Sequence, residues 1–394
     1  MTTEPETPTA AQIPLQAFHL PEFPPEASHL AHLTLTSDIK PTDYASLLNA
    51  PLPSDAVSPS IPQAVESLTL ELFSLGYPAS FLTSLAKALP RLKALTVYCQ
   101  LIDGISEASR VDAGVFMYEV LVHGLKELHL LDVFCRKGFL NGVGKIMEEV
   151  ISSSSSSSSV GHDNRAANAM MNFLEISYTY RGHSDTRFLS RIPGDELPSL
   201  LVPSLIAASL KLAPSPAEQD DTGRLPGEIP HDPADVDEHG NRIPGRKPQG
   251  IIPFSSGYSG TALLVQRLTG TYTSEDEDED EDGRGEGEAS EAGSKLKLKL
   301  KLKMLDCTLY ALGMAQLSQV LGFQTELAVL SASVLVRRDE QSKKALLDTM
   351  RSGSQCLEMM EIVGVPEEEH DNEEVCVCFF FFFFSVLFVL DFWT

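Results

Sequence analysis

The sequence predicts an α/β solenoid of irregular repeat length, with parallel strands on the concave face, helices outside, and a long disordered insert interrupting the series. Three observations lead there. An aliphatic triplet spaced L-x-x-L-x-L, with other apolar residues allowed, recurs along the chain. In three places the triplet follows a helical run that stops at proline or glycine. The 394 residues are 43% hydrophobic, enough for a long core, yet they are interrupted by stretches too polar to join one.

In chain order, residues 1–26 carry six prolines and little periodicity, which predicts a disordered lead-in. Residues 27–212 alternate short strand-like runs with helical stretches and form an N-terminal repeat block. Residues 213–295 form a disordered acidic insert, rich at first in Pro, Asp and Gly and containing one brief helical run, TALLVQRL. Residues 296–366 form a C-terminal repeat block, and 367–394 an acidic and then Phe-rich tail. Low-complexity runs at 152–159, 275–282 and 295–303 read as expansions on a tolerant scaffold. The last, KLKLKLKLK, alternates with period two and would place leucines on one face of a strand and lysines on the other.

The triplets fall at Leu30–Leu33–Leu35, Val65–Leu68–Leu70, Leu92–Leu95–Val97, Leu125–Leu128–Leu130 and Met171–Leu174–Ile176. They return at Leu302–Leu305–Cys307, Leu327–Leu330–Ala332 and Leu357–Met360–Ile362. Matches alone mean little in so aliphatic a chain; the helix–stop–strand order gives them weight. SFLTSLAKALPRLKALTVY reads as a helix, a break at Pro90, and a strand. ALGMAQLSQVLGFQTELAVLSASV repeats the order with Gly322 as the stop, and QSKKALLDTMRSGSQCLEMMEIVGV with Gly353.

On these residues, with LPRLKALTV and CLEMMEIVGV nearest the pattern, the chain resembles the leucine-rich-repeat family. The resemblance is to its long α/β form, seen in ribonuclease-inhibitor-like and F-box-associated proteins. It implies that the fourth and sixth positions of each triplet point inward from a strand and that stacked units bury what no single unit could. Successive matches lie 35, 27, 33, 46, 131, 25 and 30 residues apart, and the asparagine usual after the strand is missing. The gap of 131 holds the insert and one unrecognised unit near residues 197–212. No F-box is recognisable.

Charge bounds the partners. With 55 acids against 30 Lys and Arg, the formal charge of −25 disfavours nucleic acid and anionic membrane surfaces. The six cysteines show no zinc spacing, and the N-terminus is not a signal peptide, which fits a cytoplasmic or nuclear protein with cysteines as small core residues.

No catalytic motif is complete, so no enzyme, cofactor or metal is expected. Gly257-Tyr258-Ser259-Gly260-Thr261 has threonine where a nucleophile elbow needs glycine, so a hydrolase using Ser259 is only an alternative. Gly142-Val143-Gly144-Lys145-Ile146 lacks both the first glycine and the hydroxyl of a phosphate loop, and reads as a helix-entry loop. Ser274, followed by Asp276 and Glu277, has the spacing that acid-directed kinases favour. The apolar residues 375–390 would span about 24 Å as a helix, at the short edge of a bilayer crossing. They read as translated low-complexity sequence outside the native fold or, alternatively, as a tail anchor or as genuine core.

The expected function is therefore a non-enzymatic scaffold binding a protein partner on the concave strand face. Its outward positions form a row of Thr34, Thr69, Thr96, His129, Glu175, Asp306, Ser331 and Glu361, with Tyr98 beside it. The F-box-associated resemblance implies, as an alternative, a substrate-recognition subunit of a ubiquitin ligase.

Overall fold

The computed structural model describes residues 9–53, 56–57, 61–99, 101–156, 170–180, 188–214, 253–271, 299–337, 339–353, 356–366 and 378–383. Their strands form one sheet of eleven, ordered along it as they are along the chain. They are β1 (Ala10–Leu15), β2 (His32–Ser37), β3 (Ser67–Glu71), β4 (Ala94–Tyr98), β5 (Glu127–Leu131) and β6 (Phe173–Tyr180). After these come β7 (Ala207–Pro214), β8 (Met304–Leu312), β9 (Val329–Val336), β10 (Met359–Pro366) and β11 (Cys378–Phe383). The first ten pair in parallel; β11 alone runs antiparallel, against β10.

A parallel neighbour requires a crossover, and helices supply most of them. They are α1 (Pro41–Asn49), α2 (Phe81–Ala88), α3 (Glu107–Val122), α4 (Phe139–Ser156), α5 (Phe188–Arg191), α6 (Ser259–Thr269), α7 (Met314–Phe323) and α8 (Glu340–Ser352). Helices about 10 Å wide on one side of strands about 4.8 Å apart bend the sheet, which puts the strands on the concave face.

The triplets build the core. Leu33, Leu68, Leu95, Leu128, Leu174, Ala208, Leu305, Leu330 and Met360 occupy one register line, and each is at most 1% exposed. The first positions Leu30, Val65, Leu92, Leu125, Met171, Leu302, Leu327 and Leu357 are buried at the turns before the strands. The unrecognised unit is Leu205–Ala208–Leu210 on β7, its fourth position reduced to alanine.

Several helix ends are satisfied from a neighbouring unit. Ser80, before α2, has a φ of 74° and offers no side-chain cap; Asp112 of α3 instead accepts from the amides of Leu82 (3.0 Å) and Thr83 (3.2 Å). The buried Glu196 accepts from Gly138, Leu140 and Asn141 at the start of α4, at 2.5, 3.0 and 3.3 Å. Each carboxylate answers orphan amides and the positive end of a helix, tying adjacent units together. Gln324 does the same for loops, accepting from Leu302 N and donating to Leu268 O and Leu300 O.

Four expectations are corrected. The lead-in is structured from residue 9: β1 forms the sheet edge, and Leu15, Phe18 and Leu20 are buried. Prolines do not prevent this, because an edge strand tolerates a missing amide, as at Pro14. Within the insert, 253–271 are ordered: Phe254 bridges to Tyr310, and α6 buries Leu264, Val265 and Leu268. At 299–303 the Lys/Leu run is not a strand, although Leu300 and Leu302 are buried and Lys301 pairs with Glu326 at 2.6 Å. The Gly142–Ile146 stretch lies inside α4 rather than before it. Gly144 has a packing reason there, since a Cβ would sit 2.6 Å from Ser199 O.

Of the tail, Cys378–Phe383 runs as a strand on β10, so six of the sixteen residues of the anchor segment are not helical. Among the described residues no helix is long and apolar enough to cross a membrane. The acidic run 275–282 and Ser274 lie outside the described residues.

Candidate open face of the sheet

In a strand the residues flanking each buried position point to the other side. Thr34, Thr69, Thr96, His129 and Glu175 pair directly from β2 to β6, and Asp306, Ser331 and Glu361 from β8 to β10. All eight share one register line. Two members went unseen in the sequence. Gln12 pairs with Thr34, and Ser209 joins Glu175 to Asp306. The Leu205 triplet hid Ser209 behind Ala208; Gln12 lies in an Ala-x-Ile-x-Leu run with its prolines read as disorder. Tyr98 lies two residues further along β4, in a parallel line with Thr36, Glu71, Leu131, Ser177 and Lys211.

Neighbouring rungs hold one another. His129 Nδ1 and Glu175 Oε2 are 2.6 Å apart, Glu127 lies 3.9 Å from His129 Nε2, and the imidazole packs on Phe173 with centroids 5.1 Å apart. Asp306 Oδ1 accepts from Thr308 N (3.1 Å) and Thr308 Oγ1 (2.8 Å). Burial pushes the Asp306 carboxyl above its usual range despite these bonds and the nearby Lys211. Ser331 Oγ is 3.4 Å from Glu361 Oε2, and Gln12 Nε2 donates to Thr36 Oγ1 at 3.2 Å. The line thus changes from neutral hydroxyls on β2–β4 to carboxylates from β6 onward.

Ser259 is elsewhere, in the first turn of α6, where its hydroxyl donates to Asp195 Oδ1 at 2.6 Å. The surrounding loop is held by Tyr310 OH donating to Gly194 O, and Gly260 lies so close to Gly194 O that a Cβ there would meet it at 2.3 Å. The segment has a bridge, a turn and a helix, and it packs two loops together. Cys99 and Cys307 are buried, and burial pushes the Cys99 thiol up to about 12. His123 is exposed at the end of α3, 3.8 Å from Glu119. Among the described residues no group of three His, Cys, Asp or Glu side chains is placed to hold a metal.

Ten stacked parallel strands with triplets in register and helices outside define the class: an α/β solenoid of irregular period, the architecture that the leucine-rich-repeat resemblance implies. No family model and no curated protein matches the chain. Among solved structures it is similar to the crystal structure of an internalin from Listeria monocytogenes, at 12% identity and a TM-score of 0.30. That alignment covers 90% of this chain and 59% of the internalin.

Proposed function

We propose that the chain is a non-enzymatic scaffold that docks a protein partner on its open sheet face, across Thr34, Thr69, Thr96, Tyr98, His129, Glu175, Asp306, Ser331 and Glu361. The observation that carries this reading is the single register line on which eight of these residues fall. A continuous polar line across ten parallel strands suits a large partner better than a small substrate, for which a concave, mostly apolar pocket is the usual site. The acids from β6 onward favour a partner with a polar or basic surface. The alternative, a substrate-recognition role in ubiquitin ligation, rests on the sequence resemblance to F-box-associated proteins alone.

The test is affinity purification of the full chain from its native cells. It compares wild type with a Thr69→Arg, Thr96→Arg double variant and with Lys145→Glu, an exposed substitution on the outer face of α4. A protein recovered by wild type and by Lys145→Glu, but at least ten-fold depleted from the double variant, supports the reading. Recovery of the same proteins at the same level by all three overturns it.

A further inference from the structure

The open face changes in a second respect past β5. At the first outward position of each strand, Phe173, Ala207, Met304, Val329 and Met359 occupy five consecutive rungs from β6 to β10. All five are apolar; Met359 is 37% exposed and the other four are half-buried. The same line on β1–β5 reads Ala10, His32, Ser67, Ala94 and Glu127. Two residues along each strand, about 7 Å away, runs the second lane of Glu175, Ser209, Asp306, Ser331 and Glu361. Carboxylates therefore take alternate rungs, with hydroxyls between them. His129 flanks this lane at one end through its contact with Glu175, and Lys211 lies beyond Ser209 on β7.

Resting on the docking-face reading above, we propose that β6–β10 seat an amphipathic helix of the partner. Its apolar stripe would lie on the Phe173–Met359 lane, and Lys or Arg residues seven apart would face Glu175, Asp306 and Glu361. The spacing favours a helix over an extended segment. Rungs about 4.8 Å apart place alternate carboxylates about 9.6 Å apart, and two helical turns advance about 10.8 Å. An extended chain returns a side chain to the same face every 6.6–6.8 Å or so, which falls out of step with the rungs at once. It would also lay unpaired amides on a side-chain surface, whereas a helix pairs its own. A helix about 10–12 Å across covers both lanes, and five rungs match roughly 13 helical residues.

The probe is a labelled 18-residue Leu/Lys/Ala peptide with lysines seven apart beside a leucine stripe, compared with a scramble of the same composition. Binding to the full chain is read by fluorescence anisotropy at near-physiological salt. The patterned peptide is expected to bind at least ten-fold more tightly than the scramble. Met359→Asp, at the exposed end of the apolar lane, and Asp306→Asn, which keeps the acceptor for Thr308, should each weaken it at least five-fold. Lys145→Gln, on the exposed outer face of α4, and neutralisation of residues 275–282 should leave it within two-fold. Equal binding of scramble and patterned peptide, or indifference to both lane variants, overturns the proposal. If the peptide fails while the Thr69→Arg, Thr96→Arg variant still loses a cellular partner, the docking face stands and only the helical, basic character of its occupant falls.

Discussion

The two halves of the solenoid share a core and differ in how the chain leaves it. On β2–β5 the strands are five or six residues long, and two exits use left-handed backbone at residues with side chains, Leu72 (φ 63°) and Asp132 (φ 50°). On β6–β10 the strands run eight or nine residues. Asp132 joins the two styles. Its amide donates to Ser177 O at 2.8 Å, and its Oδ1 accepts from Thr179 N at 2.5 Å, extending the hydrogen bonding of β6 past the end of β5. The triplet fixes where a strand begins and which side is buried. How long the strand lasts depends on whether the preceding unit offers further acceptors.

Substitutions at four positions sharpen this contrast. Leu128→Ala, in the shared core where Leu128 is 0% exposed, should cost about 3 kcal/mol in urea denaturation, since the stacked neighbours cannot close the cavity. If it costs under about 1 kcal/mol, the two halves do not share one stacked core. Asp132→Ala should cost about 2 kcal/mol, by leaving Thr179 N unpaired and placing a Cβ residue without a local partner in left-handed backbone. Asp132→Asn keeps both features and should stay within about 0.5 kcal/mol; equal losses in the two variants would remove Asp132 from its joining role.

Asp306→Asn should stabilise the protein at neutral pH by a smaller amount. The folded carboxyl is raised by burial, so ionisation opposes folding at pH values above its folded-state pKa. As pH falls below the unfolded carboxyl value, both states are protonated and the gain should vanish. Urea midpoints for the two proteins compared at pH 7 and pH 3.5 check the sign, and a gain that grows in acid would contradict it. Lys93→Ala removes an ion pair to Glu66 at 2.7 Å, with side chains 56% and 46% exposed, and should shift stability by less than about 0.5 kcal/mol.

Much of the fold was legible in local spacing. All eight triplets are buried where a strand and its preceding turn require it, because apolar alternation and helix stops are properties of short segments. The row from Thr34 to Glu361 followed from the same parity. β1 was missed because proline at an edge mimics disorder; the β7 unit was placed near residues 197–212 without its triplet, because Ala208 at a core position lacks the bulk that marks a repeat. The Phe173–Met359 lane was also missed. Five scattered apolar residues become a surface only when strands 25 to 97 residues apart are laid side by side.

The sequence by itself determined the repeat unit, its buried face and the polar parity of the other, because each depends on residues two to five positions apart. Only the tertiary structure decided which strands stand next to which, that Asp112 and Glu196 close helices in other units, and that an apolar lane runs beside an acidic one. Those depend on register between distant segments, and register is set by stacking the whole core against water.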